Sequence, residues 1–309
     1  MKANLQSGFL ALAIMALAVP ANAGPLEDGV AAGQRGDFAT ALKFLRPLAE
    51  QGNTAAQNLL GLMHKNGEGV PQDDAKAVKW YRKAAEQGHA DAQFELGSAY
   101  ADGWGVPQNY AEAVKWTRLA AEQGDAVAQH NLGVMYRLGR GVPQDDTEAV
   151  KWYRMSAEQG LAEAQYWLGA LYDKGEGVPQ DDGEALNWWR LAAEQGHVRA
   201  QMYLGFLYYE GQRVPQDYAE AARWFRGAAK QGVGKHGYDE AQFKLGVMYA
   251  RGKGVPRDHV LAHMWSNLAA ARGHEKAQKL RDLIVSQMTP DQIAEAQRTA
   301  REWMAKHKW

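Results

Sequence analysis

An all-α, right-handed α/α superhelical solenoid of antiparallel helix pairs is predicted by three features of the sequence: a repeat of fixed length, a helical apolar spacing inside it, and a helix-breaking turn at its middle. The Ala-Gln pair that opens the unit recurs at Ala56, Ala92, Ala128, Ala164, Ala200, Ala241 and Ala277, so starts lie 36 residues apart at every step but one, which is 41. The same register carries Val-Pro at Val70, Val106, Val142, Val178, Val214 and Val255, and tryptophan at Trp80, Trp116, Trp152, Trp188, Trp224 and Trp265. Self-similarity at a period of a few dozen residues marks stacked supersecondary units, each stable only against its neighbours.

The unit 92–124, AQFELGSAYADGWGVPQNYAEAVKWTRLAAEQG, justifies each element in turn. Ala92, Leu96, Ala99 and Tyr100 fall at i, i+4, i+7 and i+8, one face of a 3.6-residue period, which predicts a first helix from about Asp91 to Asp102. Gly97 costs that helix roughly 1 kcal/mol of propensity, and its return in every copy predicts that backbones touch there. Gly103 supplies a C-cap, and Gly105-Val106-Pro107 forbids continuation because proline lacks the donor. Asn109, or Asp in most copies, then caps a second helix through its side-chain oxygen. Its predicted buried face is Ala113, Thr117, Ala120 and Ala121 with Val114 beside it; Glu112, Lys115, Arg118 and Glu122 are expected to point outward, and Gly124 to close the helix.

The pattern LGxxYxxGxGVPQDxxxAxxWYRxAAEQG, seen in Leu168-Gly169 and Tyr172 and in Ala149, Tyr153 and Ala157, resembles the Sel1-like repeat (SLR) family, a relative of the tetratricopeptide repeats with a longer turn inside the helix pair. The 36-residue period and the VPQD turn favour the former. The resemblance covers about Asn53 to Gly273 and implies a TPR-like scaffold for protein–protein interaction, in bacteria often at the envelope or host interface. It divides the chain into six repeats, 53–88, 89–124, 125–160, 161–196, 197–237 and 238–273. N-terminal capping helices at 24–52 and C-terminal capping helices at 274–309 flank them.

Ahead of the repeats, Lys2, an apolar run from Phe9 to Val19 and Pro20-Ala21-Asn22-Ala23 fit a secretory signal peptide over 1–23, cut after Ala23. Eleven apolar residues fall short of the ~20 that span a bilayer, so no membrane insertion is expected after cleavage, and the mature protein is expected in the periplasm or secreted. With no cysteine the fold must hold by packing alone. The segment 24–52 ends in the same Ala-Glu-Gln-Gly as a second helix but lacks Leu-Gly and the VPQD turn, as expected of a cap. Pro47 sits inside its helix. The 41-residue step holds an insertion at about Val233 to Tyr238, read as an enlarged loop. Thr289 and Pro290 mark the start of a closing helix to about Met304 that should cover the apolar edge of the last repeat.

The formal net charge of -1, with both signs interleaved along the helices, excludes the basic face that nucleic acid requires. No cofactor, metal or catalytic residue is expected. His259 and His263 have the i, i+4 spacing of a metal pair but no third ligand, and His263 stands where other units put Val78, Val114 or Val150, which favours a buried structural role. His274-Glu275 lacks the second histidine of a zinc-protease motif, because that place is Gln278. Asp173 to Glu184 has the length of a calcium loop without its ligands, and the pairs Asp73-Asp74, Asp145-Asp146 and Asp181-Asp182 recur where helix caps are needed.

The expected activity is therefore capture of a protein or peptide partner on the concave face, without catalysis. The alternative is a cell-wall or β-lactam-binding or hydrolysing envelope protein related to cysteine-rich SLR proteins, against which stand the absence of cysteine and of a Ser-x-x-Lys nucleophile. On each first helix the residue after the Gln, and the one four later, face away from the Ala-Leu-Gly-Tyr side. Read along the units they give Asn58, Phe94, His130, Tyr166, Met202 and Phe243, then Leu62, Ser98, Val134, Ala170, Phe206 and Val247. An apolar stripe rimmed by charge marks an interaction site, so Phe94, His130, Val134, Tyr166, Met202, Phe206, Phe243 and Val247 are the expected partner-binding residues.

Overall fold

A computed structural model of the chain describes residues 24–230 and 238–306; the expected signal segment and most of the insertion lie outside the described residues. The described residues form sixteen helices and no strand. After α1 (Pro25–Gln34) and α2 (Phe38–Glu50) come six helix pairs: α3 (Thr54–Asn66) with α4 (Asp74–Glu86), α5 (Ala90–Asp102) with α6 (Tyr110–Glu122), α7 (Ala126–Leu138) with α8 (Asp146–Glu158), α9 (Ala162–Lys174) with α10 (Asp182–Glu194), α11 (Val198–Glu210) with α12 (Tyr218–Lys230), and α13 (Tyr238–Arg251) with α14 (His259–Ala270). Two further helices, α15 (Glu275–Val285) and α16 (Pro290–Lys306), close the chain. The chain divides into two compact units, to Ser156 and from Ala157, the boundary falling inside α8. From α1 to α7 and from α9 to α15 each helix packs on the next in chain order, and α16 packs on α14.

The repeat pattern turns directly into packing. Ala113, Val114, Thr117, Ala120 and Ala121 are all buried, as their spacing predicts. Gly97 is where the pair closes: a Cβ there would lie 2.5 Å from Thr117 Oγ1 and 3.0 Å from the Thr117 nitrogen, so a side chain would force the helices apart. Two of the four residues expected to face outward are instead half-buried, Glu112 and Arg118. Trp116 Nε1 donates to Glu112 Oε2 at 3.0 Å, and Arg118 Nη2 donates to Tyr136 Oη at 2.6 Å. Their long stems lie along apolar surface while the polar tips find partners, an arrangement copied in Trp152–Glu148 and Arg82–Tyr100.

The glutamine of each Ala-Gln pair ties unit to unit. Gln93 Nε2 donates to the Ala85 carbonyl at 3.1 Å, and Gln123 Nε2 donates to Gln93 Oε1 at 2.7 Å; Gln57 with Gln87 and Gln165 with Gln195 repeat the link. A buried amide must be satisfied to be tolerated, and here each copy satisfies it with a carbonyl of the unit before and an amide at the end of its own unit. The turn supplies a second tie. Gly105 has φ +68°, and a Cβ on it would stand 2.3 Å from the carbonyl oxygen of Asp74 at the start of α4; Gly141 meets the Tyr110 carbonyl in the same way at 2.2 Å. The turn of one pair thus rests on the second helix of the pair before.

Caps complete the elements. Asp73 accepts from the Lys76 nitrogen, Asp181 from Glu184 and Asn109 from Glu112, so the acidic pairs are helix caps. The first helices are capped less predictably: α5 starts one residue earlier than its sequence suggests, with His89 Nδ1 accepting from the Ala92 nitrogen, and His197 and His274 do the same for α11 and α15. At the end of the chain Thr289 and Gln292 cap α16 reciprocally, and the Trp303 ring meets Trp265 edge-on at 5.8 Å, covering the last repeat as expected.

Candidate interaction surface

The stripe residues lie on successive first helices, and all eight expected partner-binding residues are half-buried. Each leaves part of its side chain to solvent and buries the rest. In the first unit Phe94 packs against the cluster around Ala113 and Leu132, and the His130 ring tilts on Tyr153 at 5.3 Å. Val134 is half-buried beside them, whereas Asn58 and Leu62, the first members of the two rows, are buried outright. In the second unit Tyr166 stacks on His197 at 4.8 Å and Phe243 on His274 at 4.7 Å. Phe206 meets Phe225 edge-on at 5.3 Å with Lys244 Nζ 5.0 Å above its ring, and Met202 and Val247 stay half-buried nearby.

The capping histidines join this surface to charged groups. His197 Nδ1 accepts from the Ala200 nitrogen at 3.2 Å, which leaves Nε2 to carry the proton and donate to Glu163 Oε2 at 2.8 Å. That bond holds the Glu163 carboxyl down at about 2. Burial raises the Tyr166 hydroxyl, which stays a neutral donor beside Arg199. His274 and Glu240 repeat the pairing at 2.9 Å.

One recess interrupts the first unit, and its origin can be read in the repeat. The position four residues after the buried alanine of each second helix faces the first-helix glycine, and it holds Tyr81, Tyr153, Trp189 and Phe225, all buried rings. In α14 it holds Ser266, which faces Gly246, and in α6 it holds Thr117. A cleft of about 320 Å³ opens beside that small side chain, lined among others by Ser98, Asp102, Tyr110, Val134 and Arg140. Arg140 lies over the Tyr110 ring, its guanidinium carbon 5.8 Å from the centroid. An acid and a guanidinium on the walls, an apolar floor at Val134 and hydroxyls at Ser98 and Thr117 suit one side chain of a bound peptide better than a reaction. Alignment of that position across the units marks Thr117 and Ser266 as the small members, and the cleft beside Thr117 depends further on the residues around it, Ser98 and Val134 among them.

None of the candidate chemical sites gains support from the geometry. His259 Nε2 lies 3.0 Å from Arg257 Nε, and His263 is 3 % exposed. Among the described residues no group of three or more His, Asp or Glu side chains gathers as a metal site would need, and no helix is long and apolar enough to cross a membrane.

Comparison with known proteins agrees with this architecture. The Sel1 repeat model matches residues 21–53, 54–89, 90–125, 126–161, 162–197, 198–233 and 239–274, the first match falling on the segment read as a cap. Among solved structures, a Sel1 repeat protein from Oxalobacter formigenes is 38% identical over 84% of this chain and 75% of its own, with a TM-score of 0.72. The protective antigen c5321 of uropathogenic Escherichia coli, which displays an SLR fold, is 32% identical over 92% of this chain and 68% of its own, with a TM-score of 0.55. No curated protein matches the chain. Repeat length, turn, glycine contacts and seven consecutive matches converge, and the chain belongs to the Sel1 repeat family.

Proposed function

We propose that this protein is an exported scaffold that holds a protein or peptide partner against its first helices, the concave side expected of the superhelix. Sel1 repeats generally act as protein-interaction scaffolds, which supports the broad role. The observation that carries the finer reading is the row of half-buried aromatic and aliphatic side chains from Phe94 to Val134 in one unit and from Tyr166 to Val247 in the other, with the cleft at Thr117 interrupting the first row. Half-buried rings are already ordered by their neighbours, so a partner that covers them gains apolar contact at little entropic cost. Export is supported by the sequence before Gly24, and by the relative described as a protective antigen, since antibodies reach proteins outside the cytoplasm.

The test is site-specific photo-cross-linking in the living cell. A cross-linker at Val134 or Val247 should trap one partner, and the same group at Lys115, exposed on α6, should trap none. Adducts from Lys115 alone, or none from the row, would place binding elsewhere. Export is tested separately by sequencing the N-terminus of the periplasmic protein, which should begin at Gly24; a protein retaining Met1 in the membrane fraction would mean an anchor.

A further inference from the structure

A second cleft, unconnected with the stripe, opens between the last repeat and the terminal helices. Along the second helices the residue after the buried alanine is apolar: Val78, Val114, Val150, Leu186 and Ala222. In α14 it is His263, buried to 3 % exposure, and its Nδ1 makes no hydrogen bond. A polar ring in an apolar slot is costly unless it has a partner, and a structural histidine would have one. His263 instead lines a cleft of about 470 Å³, within the range of small-molecule sites.

The other polar groups of this cleft come from three helices. Asn267 stands on α14, Arg281 on α15, and Gln297 and Arg301 on α16. Arg281 Nη2 reaches Asp282 Oδ1 at 2.9 Å, and its Nη1 lies 3.5 Å from Asn267 Oδ1. No ion pair among the described residues involves Arg301, and no carboxylate lines the cleft. Burial and the nearby Arg281 lower the His263 basicity, keeping the ring uncharged. Ile293 and Met304 form an apolar wall. Arg281 already engages Asp282 through Nε and Nη2, which leaves Arg301 as the guanidinium without an acid; a planar guanidinium fork fits a carboxylate in two-point contact.

We propose that this cleft binds a carboxylate carried on a short apolar body. Arg301 holds the carboxylate in its fork with Nη1 of the Asp282-paired Arg281 beside it, the amides of Asn267 and Gln297 with the His263 ring surround it, and Ile293 and Met304 take the apolar part. The same chemistry is offered by a free aliphatic acid and by the C-terminus of a peptide ending in an apolar residue.

The experiment titrates the whole mature protein by calorimetry with hexanoate, with N-acetyl-Ala-Leu, and with the C-terminal amides of both, while the histidine ring signals are followed by NMR. The acids should bind, the amides should bind at least roughly tenfold more weakly, and the His263 signals should shift. Binding of hexanoate alone identifies a free acid as the ligand type, and binding of the peptide alone identifies a chain end. Absence of binding by both acids, or equal binding of acid and amide, would overturn the proposal. Arg301→Gln, at an exposed position, should weaken the acids by roughly tenfold, and His263→Val should abolish the shift and weaken binding with no loss of folding. Unchanged affinity in Arg301→Gln would equally overturn it.

Discussion

The second and the last helix pairs are written in the same register yet differ in how they treat their buried polar groups. In α5 and α6, Gln93 is tied to the Ala85 carbonyl and to Gln123, and the neighbouring slot is filled by Val114. In α13 and α14 the equivalent Gln242 is fully buried with neither amide atom bonded, and His263 and Ser266 hold buried atoms without partners as well. The difference begins in the chain length between units. The carbonyl that Gln93 uses lies eight residues before it, at the end of the preceding second helix; eight residues before Gln242 stands Gly234, inside the insertion. The second partner is lost as well, because the place 30 residues on that holds Gln123 in the earlier pair holds Arg272 here, so the amide is stranded by a changed spacing on one side and a changed residue on the other.

The largest test of this contrast removes what both pairs share. Leu96 and Leu245 are both fully buried, so Leu96→Ala and Leu245→Ala should each cost about 2–5 kcal/mol in denaturant unfolding. A cost at Leu245 well below that range would mean that the last pair is loosely packed, and that the orphan amide is a symptom of this rather than of spacing. Next comes the glutamine itself. Gln93→Leu removes two hydrogen bonds, to the Ala85 carbonyl and from the Gln123 amide, and should destabilise by about 1–3 kcal/mol, whereas Gln242→Leu, which removes an unpartnered amide, should be neutral or stabilising. Equal losses at the two positions would erase the distinction. His263→Val, which restores the residue type of Val114, should raise the thermal midpoint by a few degrees, in line with about 1 kcal/mol.

The smallest effect is electrostatic and concerns the caps. His89 in the second unit of the repeat caps α5, while His197 and His274 cap their helices and also bond Glu163 and Glu240. The Glu163 carboxyl is held at about 2 against an ordinary 4.5, so the folded state takes up a proton less readily than the unfolded one. The stabilisation is complete above about 4.5 and is lost as pH falls towards 2. Because Glu163 is partly exposed, the effect should be slight; Glu163→Gln should flatten this acid limb, and an unaltered acid limb would show that other carboxylates control it.

Most of the fold was legible in the sequence because local rules and the repeat agree. The turn at Val106-Pro107, the cap at Asn109 and the close approach at Gly97 follow from backbone chemistry that a few residues decide. What sequence spacing could not show are ties between distant residues. Arg118 and Tyr136 stand 18 positions apart in successive units, and Gln93 and Gln123 stand 30 apart at opposite ends of one helix pair, so their pairing depends on how helices pack. The histidine caps escaped for a different reason: the capping atom is a ring nitrogen, a type that the usual preference for Asp, Asn, Ser and Thr leaves out. Of the surface, the stripe was legible as a row of residue types, but its half-burial was not, since both solvent-facing and seam-facing positions share one helical phase.

The turn glycines also govern how such a chain can change its length over generations. Gly105, Gly141 and Gly254 each meet backbone of the preceding pair, with the nearest oxygen between 2.1 and 2.3 Å from where a Cβ would stand. Gly88 and Gly124, at the links between pairs, have nothing within 4 Å. One residue added at the turn would lift a glycine off its seat, whereas residues added at a link meet open space, and the step of 41 falls at a link. Inheritance can therefore shorten or lengthen this protein freely at the links, but at the turns only by duplicating or deleting a whole pair, so the molecule's lineage should vary in whole repeats and in linker size while its turns keep one length.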